Sequence, residues 1–210
     1  MRLRITFNKS EAMRFTGHLD LHRTWERTFR RAGLPIAYSQ GFHPQPRINL
    51  ACALPLGFTS QCEVLDAWLE QPMPIPEIEA ALQKSLPPGL NIVSISEVDE
   101  RLPALQTQVL SVEYQVTLID PFDKLEERIG EVLASPYLQR ERHGKTYDLR
   151  PLIQELKFIQ DDSNSHPRIF MRLSAQSGAT GRPEEVLSIL SIPVESTRIH
   201  RTRLIFTSDV

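Results

Sequence analysis

Residues 2–8 (RLRITFN) alternate apolar and polar, the period-two signature of a half-buried strand. Over 18–32 the period changes. Leu21, Trp25, Phe29 and Ala32 are spaced four, four and three apart, which sets them on one face of a helix. Gly33 stands where a helix-ending glycine belongs, and Pro35 blocks continuation. Residues 36–39 and 47–54 read as strands on either side of the turn-rich GFHPQP, and 62–69 (CEVLDAWL) as a further extended run. Pro76 opens a second helix with Ile78, Leu82 and Leu86 on one side, ended by Pro87-Pro88-Gly89. Residues 90–98 return as a strand, and the polar stretch 99–107 reads as a linker.

The second half opens on the clearest alternation in the chain: Leu110, Val112, Tyr114, Val116 and Leu118 interleaved with polar residues. Asp120-Pro121 supplies an N-cap and a proline at the first helical position, so a helix is predicted from there through Phe122, Leu125, Ile129 and Val132. A hairpin is predicted over 137–149 around His143-Gly144. Strands follow at 155–160 and 168–174 around the polar DDSNSH, then a short helix from Pro183 to Leu190 and a closing strand at 197–206. The element order is close to β-α-β-β-α-β twice. It predicts an α+β fold of two tandem ferredoxin-like units, 1–98 and 108–210, joined by 99–107. Helices packed on one face of such a sheet leave the other free for a partner, but a fold alone does not specify function.

Composition changes little at first. Apolar residues at 40% supply a core without disulfides or metals. No run of about 18 apolar residues exists to span a membrane. Met1 leads directly into a strand with no apolar leader segment, and Cys52 and Cys62 sit in apolar runs as expected of free thiols, so a cytoplasmic location is expected. Charge matters more. The net charge of −2 conceals an asymmetry: residues 1–60 carry nine Lys and Arg against three acids, a net of +6, and the remainder carries 15 against 23, a net of −8. A protein basic throughout is excluded; a localised anion-binding site is not.

Much of that positive charge lies on the helix 18–32. Arg23, Arg27, Arg30 and Arg31 cluster opposite Trp25 and Phe29, and guanidinium forks match phosphate and carboxylate oxygens. The plain alternative is a solvated face with Glu26 paired to Arg23 and Arg30. The next segment, residues 33–48, is stiffened by Pro44 and Pro46 around Gly41 and presents Tyr38, Ser39, Phe42, His43 and Arg47. Aromatics beside Arg and His suit base stacking and phosphate holding; the alternative is a hairpin whose Phe42 plugs the core. His18 and His22 share a helix face at metal-ligand spacing, but there is no HExxH pattern and a third ligand would have to come from His43, Cys52 or an acid; His18 and Asp20 read more simply as first-turn and capping residues. No cofactor motif of the GxxxxGK[ST], GxGxxG or GxSxG kind occurs, so no metal and no cofactor is expected. RERHGK at 140–145 and RIHRTR at 198–203 read as solvated faces.

Residues 17–60, GHLDLHRTWERTFRRAGLPIAYSQGFHPQPRINLACALPLGFTS, resemble the bacterial radical-SAM-linked protein family, a domain of unknown function encoded beside or fused to cobalamin-binding radical SAM proteins. His18, Leu19, Asp20, Arg23, Arg27, Arg30, Arg31, Tyr38, Ser39, Gly41, Phe42, Pro44 and Pro46 fit the family pattern, and YDLRPLI at 147–153 is similar to a weaker signature. Gly17, His43 and Gln45 depart from it. The resemblance implies a radical SAM protein as partner and an RNA or ribosome context, with no established activity.

The expectation is a non-catalytic accessory protein that binds RNA through the arginine face and the adjoining loop. Two alternatives stand beside it. One is a metal-independent endoribonuclease of tandem ferredoxin-like type with His18 or His43 as general base. The other is a protein-interaction module whose arginines pair with acids on the partner.

Overall fold

The computed structural model describes residues 1–142, 144–159 and 166–209. They form a mixed α+β fold of two compact units, Met1–Val109 and Leu110–Val210.

In the first unit, β1 (Arg2–Lys9), α1 (His18–Arg31), β2 (Ile48–Leu50), β3 (Thr59–Trp68), α2 (Ile75–Ser85) and β4 (Leu90–Val98) follow in chain order. The strands lie β2-β3-β1-β4, each pair antiparallel. The alternation of β1 places Leu3, Ile5 and Phe7 on the helix side, opposite Ala67, Leu65 and Ile95 of the neighbouring strands. Leu21, Trp25 and Phe29 of α1 and Ile78 and Leu82 of α2 close this core. Phe7 meets Trp25 edge-on with centroids 4.8 Å apart, a contact worth about 0.5–1.5 kcal/mol beyond its buried area.

The other phase of the alternation faces away from the helices. Arg2 and Arg4 lie there with Asp66 and Trp68 of β3. The stretch 99–107 packs on the same unit: Arg2 donates to the carbonyls of Leu102 and Pro103, and Leu105 is fully buried.

Three sequence expectations change here. The strand expected at 36–39 is only two isolated bridges, Ile36 to Leu69 and Tyr38 to Pro46, because Pro35 and Pro46 have no N–H to extend a ladder. The strand expected at 47–54 is regular only at 48–50. The run expected from 62 begins at Thr59.

The second unit contains β5 (Val109–Leu118), α3 (Leu125–Ala134), the hairpin β6 (Gln139–Arg142) and β7 (Lys145–Asp148), β8 (Ile153–Ile159), β9 (Arg168–Gln176), β10 (Ala179–Thr180), α4 (Pro183–Ile189) and β11 (Thr197–Phe206). Its sheet runs β10-β9-β5-β11, with β8 also paired to β9 and β6-β7 forming a separate pair. The hairpin expected over 137–149 forms as β6 and β7, and β10 is an addition to the expected order. His143 and residues 160–165, most of the DDSNSH stretch, lie outside the described residues. α3 starts four residues later than the Asp120-Pro121 signal predicts. Asp120 lies in a bend, and Lys124, at φ 56°, is the residue that leads into the helix.

The family-like YDLRPLI acts as a clamp. Asp148 Oδ1 accepts from the backbone N–H groups of Leu138 and Arg150, and the Arg150 guanidinium donates to Leu133 O near the end of α3. Nor are the two charged stretches merely solvated. Arg142 donates to both Glu185 carboxylate oxygens, at 2.7 and 2.8 Å, and Arg201 is fully buried against Tyr114.

Candidate functional site

The α1 arginines owe their placement to the core beneath them. Trp25 and Phe29 are fully buried, so the residues half a turn away must face outward. Arg23, Arg27, Arg30 and Arg31 are all exposed. Their partners differ. Arg31 donates to Ser85 O at 2.7 Å, at the carbonyl end of α2, and so braces the two helices. Arg23 has a 3.4 Å contact with Asp20, both side chains about two-thirds exposed, a geometry worth little. Arg27 and Arg30 have no hydrogen-bond or ion-pair partner among the described residues. The expected pairing of Glu26 with Arg23 and Arg30 does not form. Glu26 faces His22 instead, Oε1 to Nδ1 at 2.9 Å, while His22 Nε2 donates to Ile48 O at 2.9 Å.

Asp20 does not cap the helix. Gly17 occupies the cap position without a side-chain acceptor, and His18 is the first helical residue, half-buried. Among the described residues no three His, Cys, Asp or Glu side chains gather as a metal site would require.

The loop after α1 is closed by its own backbone. Ser39 N donates to Gln45 O, Gln45 N to Ser39 Oγ, and Arg47 N to Ala37 O. At its tip Gly41 has φ 132°, a conformation that a side chain would strain. Phe42 beside it is fully exposed at 102%, so it does not plug the core. His43 and Pro44 are exposed too, and Tyr38 is 43% exposed.

Arg47 points elsewhere. Its guanidinium lies 4.6 Å from the Trp68 ring, and Arg2 lies 5.0 Å from the same ring. Ile48 packs into the helix-side core, so Arg47 and Trp68 belong to the opposite sheet face. There they line a cavity of about 270 Å³ with Asn49, Glu100, Leu102 and Ala104. The terminal ammonium, 2.8 Å from Glu100, holds that carboxyl below its ordinary range by hydrogen bond and charge.

The structure therefore brings Arg23, Arg27 and Arg30 together on one face. It puts Phe42 and His43 on a separate exposed tip and sends Arg47 to the other side of the sheet. Leu19 enters the sequence reading only as part of the family pattern and Phe15 not at all, yet they are 71% and 75% exposed. The signal for Leu19 was its helical phase, four residues before Arg23 and outside the Leu21–Trp25–Phe29 face.

The second unit has its own polar cluster. Burial first, then the hydrogen bond and charge of Glu185, push the Tyr147 phenol up to about 12 against the opposing pull of Arg142. A cavity of about 360 Å³ adjoins it, lined by Arg142, Lys145, Tyr147, Leu152, Gly178 and Thr180.

No helix among the described residues is long and apolar enough to cross a membrane. The fold is similar to that of a chain in a Cbf5-Nop10-Gar1 complex, with a TM-score of 0.51 at 11% identity over 96% of this chain and 48% of that one. A chain of the archaeal box H/ACA sRNP Nop10-Cbf5 complex gives 0.46 at 10% identity over 96% and 47%. This chain thus spans about half the length of either, and at such identities the first likeness is one of fold alone. No curated protein matches the sequence. Residues 2–183 match the model of DUF2344, uncharacterized proteins conserved in bacteria, and the chain belongs to that family.

Proposed function

We propose that this protein is a non-catalytic, cytoplasmic accessory factor that binds RNA through the outward face of α1 and the exposed loop at Phe42 and His43. The two units are read as ferredoxin-like modules, each with the strand order second-third-first-fourth around its two helices. The radical SAM protein implied by the resemblance of residues 17–60 is the proposed partner, to which the bound RNA would be presented.

The observation that carries the reading is the gathering of Arg23, Arg27 and Arg30 on a single helix face, where the exposed 3.4 Å contact of Arg23 with Asp20 is their one ion pair among the described residues. Three guanidiniums within one stripe repel one another unless an anion answers them, and phosphate oxygens do so bidentately. The test is RNA retention on a filter at low and at moderate salt, for the wild type and for Arg27→Glu with Arg30→Glu. Retention that falls steeply with salt and is lost in the variant is expected. Absence of binding by the wild type, or unchanged binding by a folded variant, overturns the proposal. A radical SAM protein that co-purifies equally well after nuclease treatment would instead favour direct pairing of the arginines with acids on that partner.

A further inference from the structure

Phe15 lies three residues before α1, and its surroundings are built rather than loose. Arg14 O accepts from Gly57 N at 3.0 Å and from Lys9 Nζ at 3.2 Å, and Arg14 Nε donates to Gly57 O at 2.8 Å. These bonds pin the backbone that carries Phe15. The Arg14 guanidinium lies 5.2 Å from the ring and covers part of it. The rest is open: Phe15 is 75% exposed, Leu19 71% and Leu56 63%. Leu19, Arg23, Arg27 and Arg30 then continue along α1 at intervals of four, four and three residues, a stripe of roughly 16 Å at the helical rise. A held, exposed aromatic ring thus stands three residues before the helix that carries the basic track.

We infer that the RNA site is shaped for single-stranded RNA, with an unpaired base stacked on Phe15 and the neighbouring phosphates carried by Arg23, Arg27 and Arg30. This rests on the RNA reading above. An aromatic face is useful only to a base that is free to leave its own stack, whereas a duplex offers phosphates and sugars but no open base face. A purely electrostatic track would have no use for an exposed ring fixed at its end. The half-covering guanidinium of Arg14 adds a planar cation against which the stacked base and ring are held.

The experiment is fluorescence anisotropy with a labelled RNA strand of about a dozen nucleotides, alone and annealed to its complement. Wild type is expected to bind the single strand at least about tenfold more tightly than the duplex. Phe15→Ala should weaken the single strand about tenfold and leave the duplex unchanged, and Phe15→Trp should restore binding. Because Phe15 is exposed, the melting temperature of both variants should match wild type. Equal affinity for strand and duplex, or an unaffected Phe15→Ala, overturns this inference while Arg27→Glu with Arg30→Glu still reports on the RNA reading. Wild type that binds neither RNA form ends both. Polyglutamate competing as well as the RNA strand assigns the stripe to an acidic protein and overturns the inference too.

Discussion

Arg2 and Asp66 meet inside the first unit with their side chains 1% and 0% exposed, Nε at 3.0 Å and Nη2 at 2.6 Å from Oδ2. Arg4 donates to the same carboxylate at 2.8 and 2.9 Å. One buried anion therefore answers two guanidiniums, with the Leu102 and Pro103 carbonyls taking further Arg2 donors. Removing the Asp66 charge leaves Arg2, with its side chain 1% exposed, without its carboxylate partner. Asp66→Asn is expected to cost about 3–5 kcal/mol in urea unfolding. A loss below about 1 kcal/mol would mean that the two carbonyls suffice for Arg2.

The α1 arginines should separate into two kinds. Arg27→Glu and Arg30→Glu touch no partner, so the unfolding midpoint should hold while RNA affinity falls and the salt slope flattens by about 0.7 per lost phosphate contact. Arg31→Glu should lower stability instead, by about 1 kcal/mol, because it removes the donor to Ser85 O at the end of α2. Stability and binding losses that coincide in every variant would argue against a dedicated binding face.

Tyr147 offers a pH signature. Its phenol is pushed up to about 12 by burial and Glu185, above the ordinary value of 10. Between those values the unfolded chain has lost this proton and the folded chain retains it. The contribution is therefore present below pH 10 and is lost as pH rises towards 12. In an absorbance titration of phenolate, subtracting Tyr147→Phe from wild type should leave a component centred near 12. A component near 10 would place Tyr147 in ordinary solvent.

Gly89 joins the end of α2 to β4 at φ +97°, and a Cβ there would lie 2.6 Å from Met13 Cγ and 3.0 Å from Met13 N. Its carbonyl also accepts from Ser10 N at 2.9 Å. Gly89→Ala combines backbone strain with a clash against main chain and should destabilise by about 1–3 kcal/mol. Because Met13 adjoins the segment that carries Phe15, the same variant should also weaken single-strand RNA binding. Unchanged thermal unfolding would show that this turn yields easily.

Much of the fold was legible where one face alone decides burial. β1, α1, β4, β5 and β11 lie within a residue or two of their predicted bounds, because each has an unambiguous period. Local signals failed where chain direction is settled by contacts far away in sequence. Asp120-Pro121 has the chemistry of a helix start, yet a left-handed residue at Lys124 sets the real one. Arg47 reads as part of a basic loop, and only the Trp68 ring, supplied by β3, turns it to the opposite sheet face. Phe42 looks like a core residue by type and is fully exposed by position. The candidate site was thus legible as a helix stripe and illegible as a surface, since exposure at a loop tip follows from closure of the whole loop.

His22 ties α1 to the sheet through its bond to Ile48 O of β2, and Glu26, one turn on in the same helix, orients the ring. With Leu21, Trp25 and Phe29 buried beneath, the helix is held against rolling about its axis. The azimuth of Arg23, Arg27 and Arg30 is settled when the unit folds, and a ligand has only side-chain rotamers left to order. On the RNA reading proposed above, the stripe would act as a ruler rather than a tail: it would measure the spacing of negative charge along a partner, and a partner with the wrong spacing would gain nothing from the helix turning to meet it.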